Sequence, residues 1–160
     1  MSREPDLIDA FIGVGTSPYG NHYYSKFDYF CLRQFGWLCM CFPWAVLKNA
    51  VAKSVTVTAE GYENMRKMVS EFNKKEYAKL MKIYYEALIN DNQDNEMKCP
   101  VLLTRGQHDN TGKVKAYCEM WHERTGFKYE VIEAAGHNAN VDNPQKMNMI
   151  IYEFINNNII

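Results

Sequence analysis

The spacing of apolar residues changes along the chain, and each change predicts a change of secondary structure. A short apolar run between Pro5 and the turn residues of 15–20 predicts a buried strand at 10–14. From 21 to 95, apolar residues recur at intervals of three and four, which is the period of an α-helix. A helical segment is therefore predicted to follow the first strand.

Start signals mark two helices within this segment. Thr58 has the hydroxyl of a good N-cap, and Asn73-Lys-Lys-Glu76 has the spacing of a capping box, in which both side chains bind free backbone N–H groups. The apolar positions expected to face inward are Tyr62, Met65, Met68, Val69, Phe72, Tyr77, Leu80, Met81, Tyr84 and Leu88. Two helices that meet at Asn73 are predicted.

After the polar linker at 90–96, strand and helix signals alternate. Apolar runs predict strands at 101–104 and 129–132, separated by a helix that Thr111 would cap, and Asn143-Pro144 begins a last helix. The inward positions of these helices would be Val114, Cys118, Trp121, Met147, Ile150, Ile151 and Phe154. This alternation predicts a parallel sheet with right-handed crossovers, in which the helical segment is inserted between two strands.

Asp109 and His137 follow consecutive predicted strands, in Gly106-Gln-His-Asp109 and Gly136-His137. Because the carboxyl ends of parallel strands meet at one edge of a sheet, we expect the two side chains within hydrogen-bond reach. A carboxylate so placed holds an imidazole in one tautomer and stabilises its cationic form, while the imidazole takes a proton from a hydroxyl. The pair therefore predicts the acid and the base of a catalytic triad.

Each of these residues also has a simpler interpretation. Asp109 would cap the helix that follows it, and His137 would be an ordinary turn residue. The pair together with its flanking glycines and with Asp142-Asn-Pro144 favours the catalytic interpretation. His108, beside the acid, is expected to be an exposed turn residue.

Two segments carry a resemblance to the end of an α/β-hydrolase. They are PVLLTRGQHDNTGKV, from Pro100, and YEVIEAAGHNANVDNPQKMNMIIYEFI, from Tyr129. The triad of that family runs in the order Ser, Asp or Glu, His. The resemblance thus implies that Asp109 is the acid and His137 the base.

The same resemblance implies a division of the chain. Residues 1–20 are similar to the stretch after the nucleophile helix of these enzymes, and with residues 96–160 they would form a partial α/β-hydrolase core of three parallel strands and flanking helices. Residues 21–95 would be a helical cap or lid. The complete enzyme would hydrolyse an ester or a similar acyl bond of a small apolar or acyl substrate.

The sequence contains no Gly-x-Ser-x-Gly. The resemblance implies that the nucleophile elbow and the oxyanion donors lie upstream of the residue corresponding to Met1. Ser17, in Gly15-Thr-Ser17-Pro-Tyr-Gly20, lacks the required spacing and follows the wrong strand. We therefore predict a truncated chain without a nucleophile, which is catalytically silent alone.

A non-catalytic homologue that binds a ligand or a partner chain remains the alternative. Without the central strands of a larger sheet, the strand at 10–14 would have an unpaired apolar edge, and such edges pair with another chain. Self-association or a complementing N-terminal chain is therefore expected.

Composition limits the classes of partner that the chain is expected to bind. A formal net charge of -1 over 160 residues offers no general electrostatic footprint for nucleic acid. The longest near-continuous apolar run, Phe35–Leu47, contains Pro43 and is shorter than the roughly 20 residues of a membrane span. We predict no nucleic-acid partner and no membrane span.

The five cysteines are an odd number without framework spacing, which favours a reducing cytoplasm. Cys31, Cys39 and Cys41, with His22, lack the spacing of a zinc knuckle or ribbon. Reduced, buried cysteines are the favoured interpretation there, and we predict no metal and no cofactor.

Overall fold

The computed structural model describes residues 7–94 and 96–159. Its strands β1 (Phe11–Val14), β2 (Val101–Gly106) and β3 (Lys128–Ile132) form one parallel sheet in the order β1-β2-β3. The predicted α/β class and the three predicted strands are confirmed. β2 is buried along its whole length, because it lies between the other two strands and between two layers of helices.

Among the described residues, four α-helices lie between β1 and β2, one joins β2 to β3, and two follow β3. In chain order they are α1 (Lys26–Cys41), α2 (Trp44–Val55), α3 (Ala59–Ser70), α4 (Lys74–Asn90), α5 (Val114–Thr125), α6 (Ala139–Asp142) and α7 (Pro144–Asn158). A turn of 3-10 helix, Asn21–Tyr23, precedes α1. We call α1–α4 the helical segment.

Alternate side chains of the strands face two different clusters, as the period of a strand requires. The first cluster contains Ile12 and packs against α7, and its buried members are Leu102, Ile132, Ala135, Ala139, Met147, Ile150 and Phe154. The second contains Phe11 and packs against α5, and its buried members are Tyr23, Tyr24, Val101, Leu103, Tyr117 and Trp121. β1 itself is only partly buried, contrary to the prediction, because it is an edge strand.

The predicted start signals of α3 and α4 are confirmed. The Thr58 hydroxyl accepts a hydrogen bond from the N–H of Gly61, and Asn73 with Glu76 forms a complete capping box. The predicted inward stripes are only partly right, since Met68, Phe72, Leu80 and Tyr84 are exposed. Val69 and Tyr77 are buried as predicted, and Ala78, which was not among the predicted positions, is buried as well.

Close packing of α4 on α1 explains which face of α4 is buried. A Cβ atom added at Gly36 of α1 would lie 2.8 Å from the Cβ of Lys82 and 3.1 Å from the carbonyl oxygen of Ala78. Two small residues therefore let the backbones approach at this point. The contact turns Leu80 outward, whereas apolar spacing alone placed it inside.

The two ends of the helical segment are joined by Asn92, in the predicted polar linker. Its Oδ1 accepts a hydrogen bond from the N–H of Gly20 at 2.6 Å, and its Nδ2 donates to the hydroxyl of Tyr29 at 2.6 Å. Asn92 is only 2% exposed, so the linker is not uniformly solvated.

Helix α1 carries large apolar side chains on its surface. Phe27, Phe30 and Trp37 are exposed, although their spacing is that of one helix face. Of the helices in the described ranges, none has both the length and the apolar character needed to cross a membrane.

The cysteines are free thiols in the structure. Cys39 is buried in the core of the helical segment, but Cys31 and Cys41 are exposed. The prediction that the cysteines of this region are buried is therefore wrong for these two, which lie on the outer face of α1.

Candidate functional site

The loops that follow β2 and β3 are bonded to each other through their backbones. The N–H of Gln107 donates to the carbonyl oxygen of Ile132, and the N–H of His108 donates to that of Ala135, each at 2.8 Å. A Cβ atom at Gly106 would overlap the carbonyl oxygen of Gly136. Gly106, which the sequence places before the acid, thus allows direct contact of the two loops.

This contact brings Asp109 and His137 together. Nδ1 of His137 lies 2.9 Å from Oδ2 of Asp109, within the hydrogen-bond reach that strand order predicted. The carboxylate side chain is inaccessible to solvent, whereas 27% of the imidazole side chain is exposed. One ring nitrogen is therefore bound to a buried acid while the ring remains accessible from the surface.

The second carboxylate oxygen of Asp109 accepts a hydrogen bond from the N–H of Thr111 at 2.9 Å. Burial by itself raises the pKa of Asp109, but the hydrogen bonds from His137 and Thr111 outweigh it and the pKa is lowered. The group is thus an anion at neutral pH.

The capping interpretation of Asp109 is wrong. Helix α5 begins only at Val114, and its N-cap is Lys113, which makes no side-chain capping bond. Thr111, the predicted cap, contributes only its carbonyl oxygen to the N–H of Val114. Asp109 therefore closes a turn and holds His137, and no helix start depends on its side chain.

Gly15, directly after β1, lies against the imidazole of His137. A Cβ atom there would be 2.9 Å from Nδ1 of His137, and the φ of Gly15 is +55°, a conformation that favours glycine. Its N–H donates to the carbonyl oxygen of Thr104, which fixes the end of β1 on β2. Sequence reasoning missed this role, although a glycine at a strand end was a usable signal.

Arg105 supports the acid loop from inside the sheet. It is 5% exposed, its Nε donates to the hydroxyl of Tyr129 at 2.8 Å, and its Nη1 donates to the carbonyl oxygen of Gly106 at 2.6 Å. Sequence reasoning missed this residue too. The available signal was a charged residue inside an apolar strand.

His108 and Ser17 are not part of the acid–base pair. His108 is exposed, as predicted, and Ser17 lies next to Pro18, whose carbonyl oxygen accepts from the Tyr24 hydroxyl at 2.6 Å. No hydrogen bond within the described ranges joins Ser17 to His137. The structure therefore brings together the acid and the base but not this serine.

We expect acid to destabilise the fold. Asp28 also has a lowered pKa, about 2, because hydrogen bonds from Lys113 and Ser25 outweigh its burial. Asp109 and Asp28 have folded pKa values below the unfolded value of 3.8, so the unfolded chain binds protons first as the pH falls. The stability that they contribute is complete above about pH 4 and is lost as the pH falls through the folded pKa values.

Urea denaturation at pH 6, 4 and 3 measures this effect. The midpoint should fall at pH 3, and Asp28→Asn should reduce the fall because it removes one of the linked groups. A midpoint that stays constant down to pH 3 would contradict the linkage.

Similar proteins are found by structure and not by sequence. No protein-family model matches the chain, and no curated protein matches it. Similar solved structures include MenH from S. aureus, with 16% sequence identity and a TM-score of 0.70 over 94% of this chain and 60% of that one. A thermophilic esterase from Thermogutta terrifontis has 15% identity and a TM-score of 0.69 over 98% of this chain and 58% of that one.

A third similar structure is an alpha/beta hydrolase fold protein from Chitinophaga pinensis, with 12% identity and a TM-score of 0.56 over 99% of this chain and 59% of the other. This chain therefore spans about three fifths of the length of these structures. At these identities the likeness shows the fold, and the chain has a partial α/β-hydrolase fold.

Proposed function

We propose that this chain supplies the acid and the base of an ester hydrolase whose serine nucleophile comes from another polypeptide segment. Asp109 would be the acid and His137 the base, with residues 21–95 as the cap over the substrate. The observation that carries the proposal is the 2.9 Å contact between the imidazole Nδ1 and the buried carboxylate. It lies where two parallel strands of a partial α/β-hydrolase fold end.

In this proposal each ring nitrogen of His137 has one role. With its proton on Nδ1, the imidazole donates to Asp109, and Nε2 has a free lone pair that can accept the proton of a serine hydroxyl. The imidazolium formed in that step is stabilised by the carboxylate, which the lowered pKa of Asp109 keeps ionised. His137 then returns the proton to the leaving alcohol.

The proposed substrate is a small ester or similar acyl compound. The apolar surface of α1, with Phe27, Phe30 and Trp37 exposed, supports an apolar ligand or chain next to the helical segment. Esterases among the similar structures support the reaction class. The free thiols favour a reducing compartment, and we include a cytoplasmic location in the proposal.

A second candidate function is binding of a partner chain without catalysis. β1 is an outer strand of the sheet formed by the described residues, and its last residue, Val14, is 37% exposed. A strand edge that carries an exposed apolar side chain favours pairing with another polypeptide. Self-association or an N-terminal complementing chain would cover it.

Co-expression separates the two candidates. The partner to be tested is the polypeptide encoded by the reading frame upstream of Met1, if that polypeptide contains Gly-x-Ser-x-Gly. We expect the two chains to elute together in size-exclusion chromatography and to hydrolyse a short-chain aryl ester, which neither chain hydrolyses alone. Losing the nucleophile typically costs about a millionfold in turnover, so the contrast should be large.

Three outcomes would contradict one or both of the candidate functions. Co-elution without hydrolysis favours the binding function and contradicts the enzyme. Hydrolysis by this chain alone contradicts the assignment of the nucleophile to another segment. If the chain stays monomeric and does not bind the polypeptide encoded upstream, both candidate functions are contradicted.

A further inference from the structure

Asp142, the last residue of α6, accepts hydrogen bonds from the nearby Gly136 and from the distant residues Val57 and Thr58. Its Oδ1 accepts from the N–H of Thr58 at 3.1 Å and from the Thr58 hydroxyl at 2.7 Å. Its Oδ2 accepts from the N–H of Val57 at 3.1 Å and from the N–H of Gly136 at 2.9 Å. Both oxygens are thus occupied by donors.

These donors belong to two elements with different tasks. Gly136 immediately precedes His137, whereas Val57 and Thr58 form the junction between α2 and α3 of the helical segment. The N–H of Asn138, on the other side of the base, also donates to the carbonyl oxygen of Val55 at 2.8 Å. The backbone is therefore tied to the α2–α3 junction both before and after His137.

Close packing makes this connection rigid. A Cβ atom at Gly136 would lie 3.0 Å from the carbonyl oxygen of Val55, and one at Gly61 would lie 2.6 Å from Oδ1 of Asp142. Two glycines therefore leave the space that the carboxylate and the junction occupy. Displacing either partner would move the other.

Capping of α3 does not account for Asp142. The Thr58 hydroxyl already caps that helix by accepting from the N–H of Gly61 at 3.0 Å, while it donates its own proton to Asp142. Burial raises the pKa of Asp142, but the hydrogen bonds from Thr58, Gly136 and Val57 outweigh it and the pKa is lowered. The carboxylate is thus held as an anion between the two elements.

We propose that Asp142 is a positioning residue, which fixes the loop of His137 to the α2–α3 junction and so aligns the imidazole with Asp109. The same set of hydrogen bonds would therefore hold the helical segment in place and align the base. The role in catalysis rests on the proposed function of His137. The role in alignment does not, because it concerns only the geometry of this chain.

The tautomer of His137 is the readout that does not need activity. Imidazole ¹⁵N shifts measured at pH 8 distinguish a proton on Nδ1 from one on Nε2. In the unmodified chain we expect the proton on Nδ1, because Asp109 accepts it. In Asp142→Ala we expect a mixture of tautomers, since the loop loses its acceptor for the N–H of Gly136.

Two further variants define the result. Asp142→Asn retains one acceptor oxygen but presents an amide donor in place of the other, so it should shift the tautomer less than alanine does. Asp28→Asn is the matched control, because it too removes a carboxylate that accepts from a backbone N–H and from a hydroxyl, but Asp28 lies on α1. It should leave the tautomer of His137 unchanged.

Activity provides the second readout. In the co-expressed enzyme, Asp142→Ala should lower kcat on the order of a hundredfold, as misplacing a catalytic group by about 1 Å does, with KM little changed. If Asp142→Ala does not fold, Asp142→Asn decides. An unchanged tautomer in the folded variant, or the same change in Asp28→Asn, overturns the proposal. An altered tautomer in a pair of chains that has no activity supports the positioning role and sinks only the enzyme function.

Discussion

Replacing His137 by alanine is expected to abolish the ester hydrolysis of the co-expressed enzyme. Removal of a triad base typically lowers turnover by about a millionfold, because the serine then has no acceptor for its proton. The fold should survive, since 27% of the imidazole side chain is exposed and its hydrogen bond is to a single carboxylate. Initial rates on a short-chain aryl ester measure the effect.

His108→Ala is the matched control for this experiment. Its side chain lies on the same pair of loops but is exposed, and the bond that it contributes to the loop comes from its backbone N–H. Turnover should therefore stay within a few-fold of the unmodified enzyme. Retained hydrolysis in His137→Ala would remove the base assignment, and equal losses in both variants would mean that the loop and not the imidazole matters.

Gly106→Ala is expected to cost about 3 kcal/mol or more of unfolding free energy. The new Cβ would overlap the carbonyl oxygen of Gly136, and it would also lie against the backbone of Ala135. Backbone atoms cannot rotate away as a side chain can, so the loop contact must open, and overpacking of this kind lies at the upper end of its usual range. Separation of the loops would also separate Asp109 from His137.

The same substitution at Gly126 is the control for backbone conformation. Gly126 ends α5 with a φ of +71°, and a Cβ there would meet nothing within 4 Å. Gly126→Ala should therefore cost only the roughly 1–2 kcal/mol of a left-handed residue. Urea denaturation of both variants measures the difference, and equal costs would contradict the steric explanation of Gly106.

Element types were predictable from the sequence because their signals are local. The Asn73 capping box and the Pro144 start position each specify one turn of backbone, and the structure contains both. Burial within the helices was less predictable. Leu80 satisfies the apolar period of α4 yet is exposed, because the small residues Gly36 and Ala78 decide which face meets α1.

In the candidate site, too, some residues were predictable from the sequence and others were not. Asp109 and His137 could be found because each follows a strand and a glycine, and parallel strands end at one edge. Arg105 could not be assigned a partner, since the carbonyl oxygen of Gly106 becomes its acceptor only in the folded loop. Asn92 looked like a linker residue because the N–H of Gly20, its partner, is distant in sequence.

The sequence by itself thus determined the α/β class, the order of strands and helices, and the identity of the acid and base candidates. Their contact distance, the tie from Asp142 to Thr58, and the role of Gly15 beside His137 were decided only by the tertiary structure. The physical reason is one of range. Caps, periods and strand ends act within a few residues, whereas a hydrogen bond across the fold depends on how distant backbones pack.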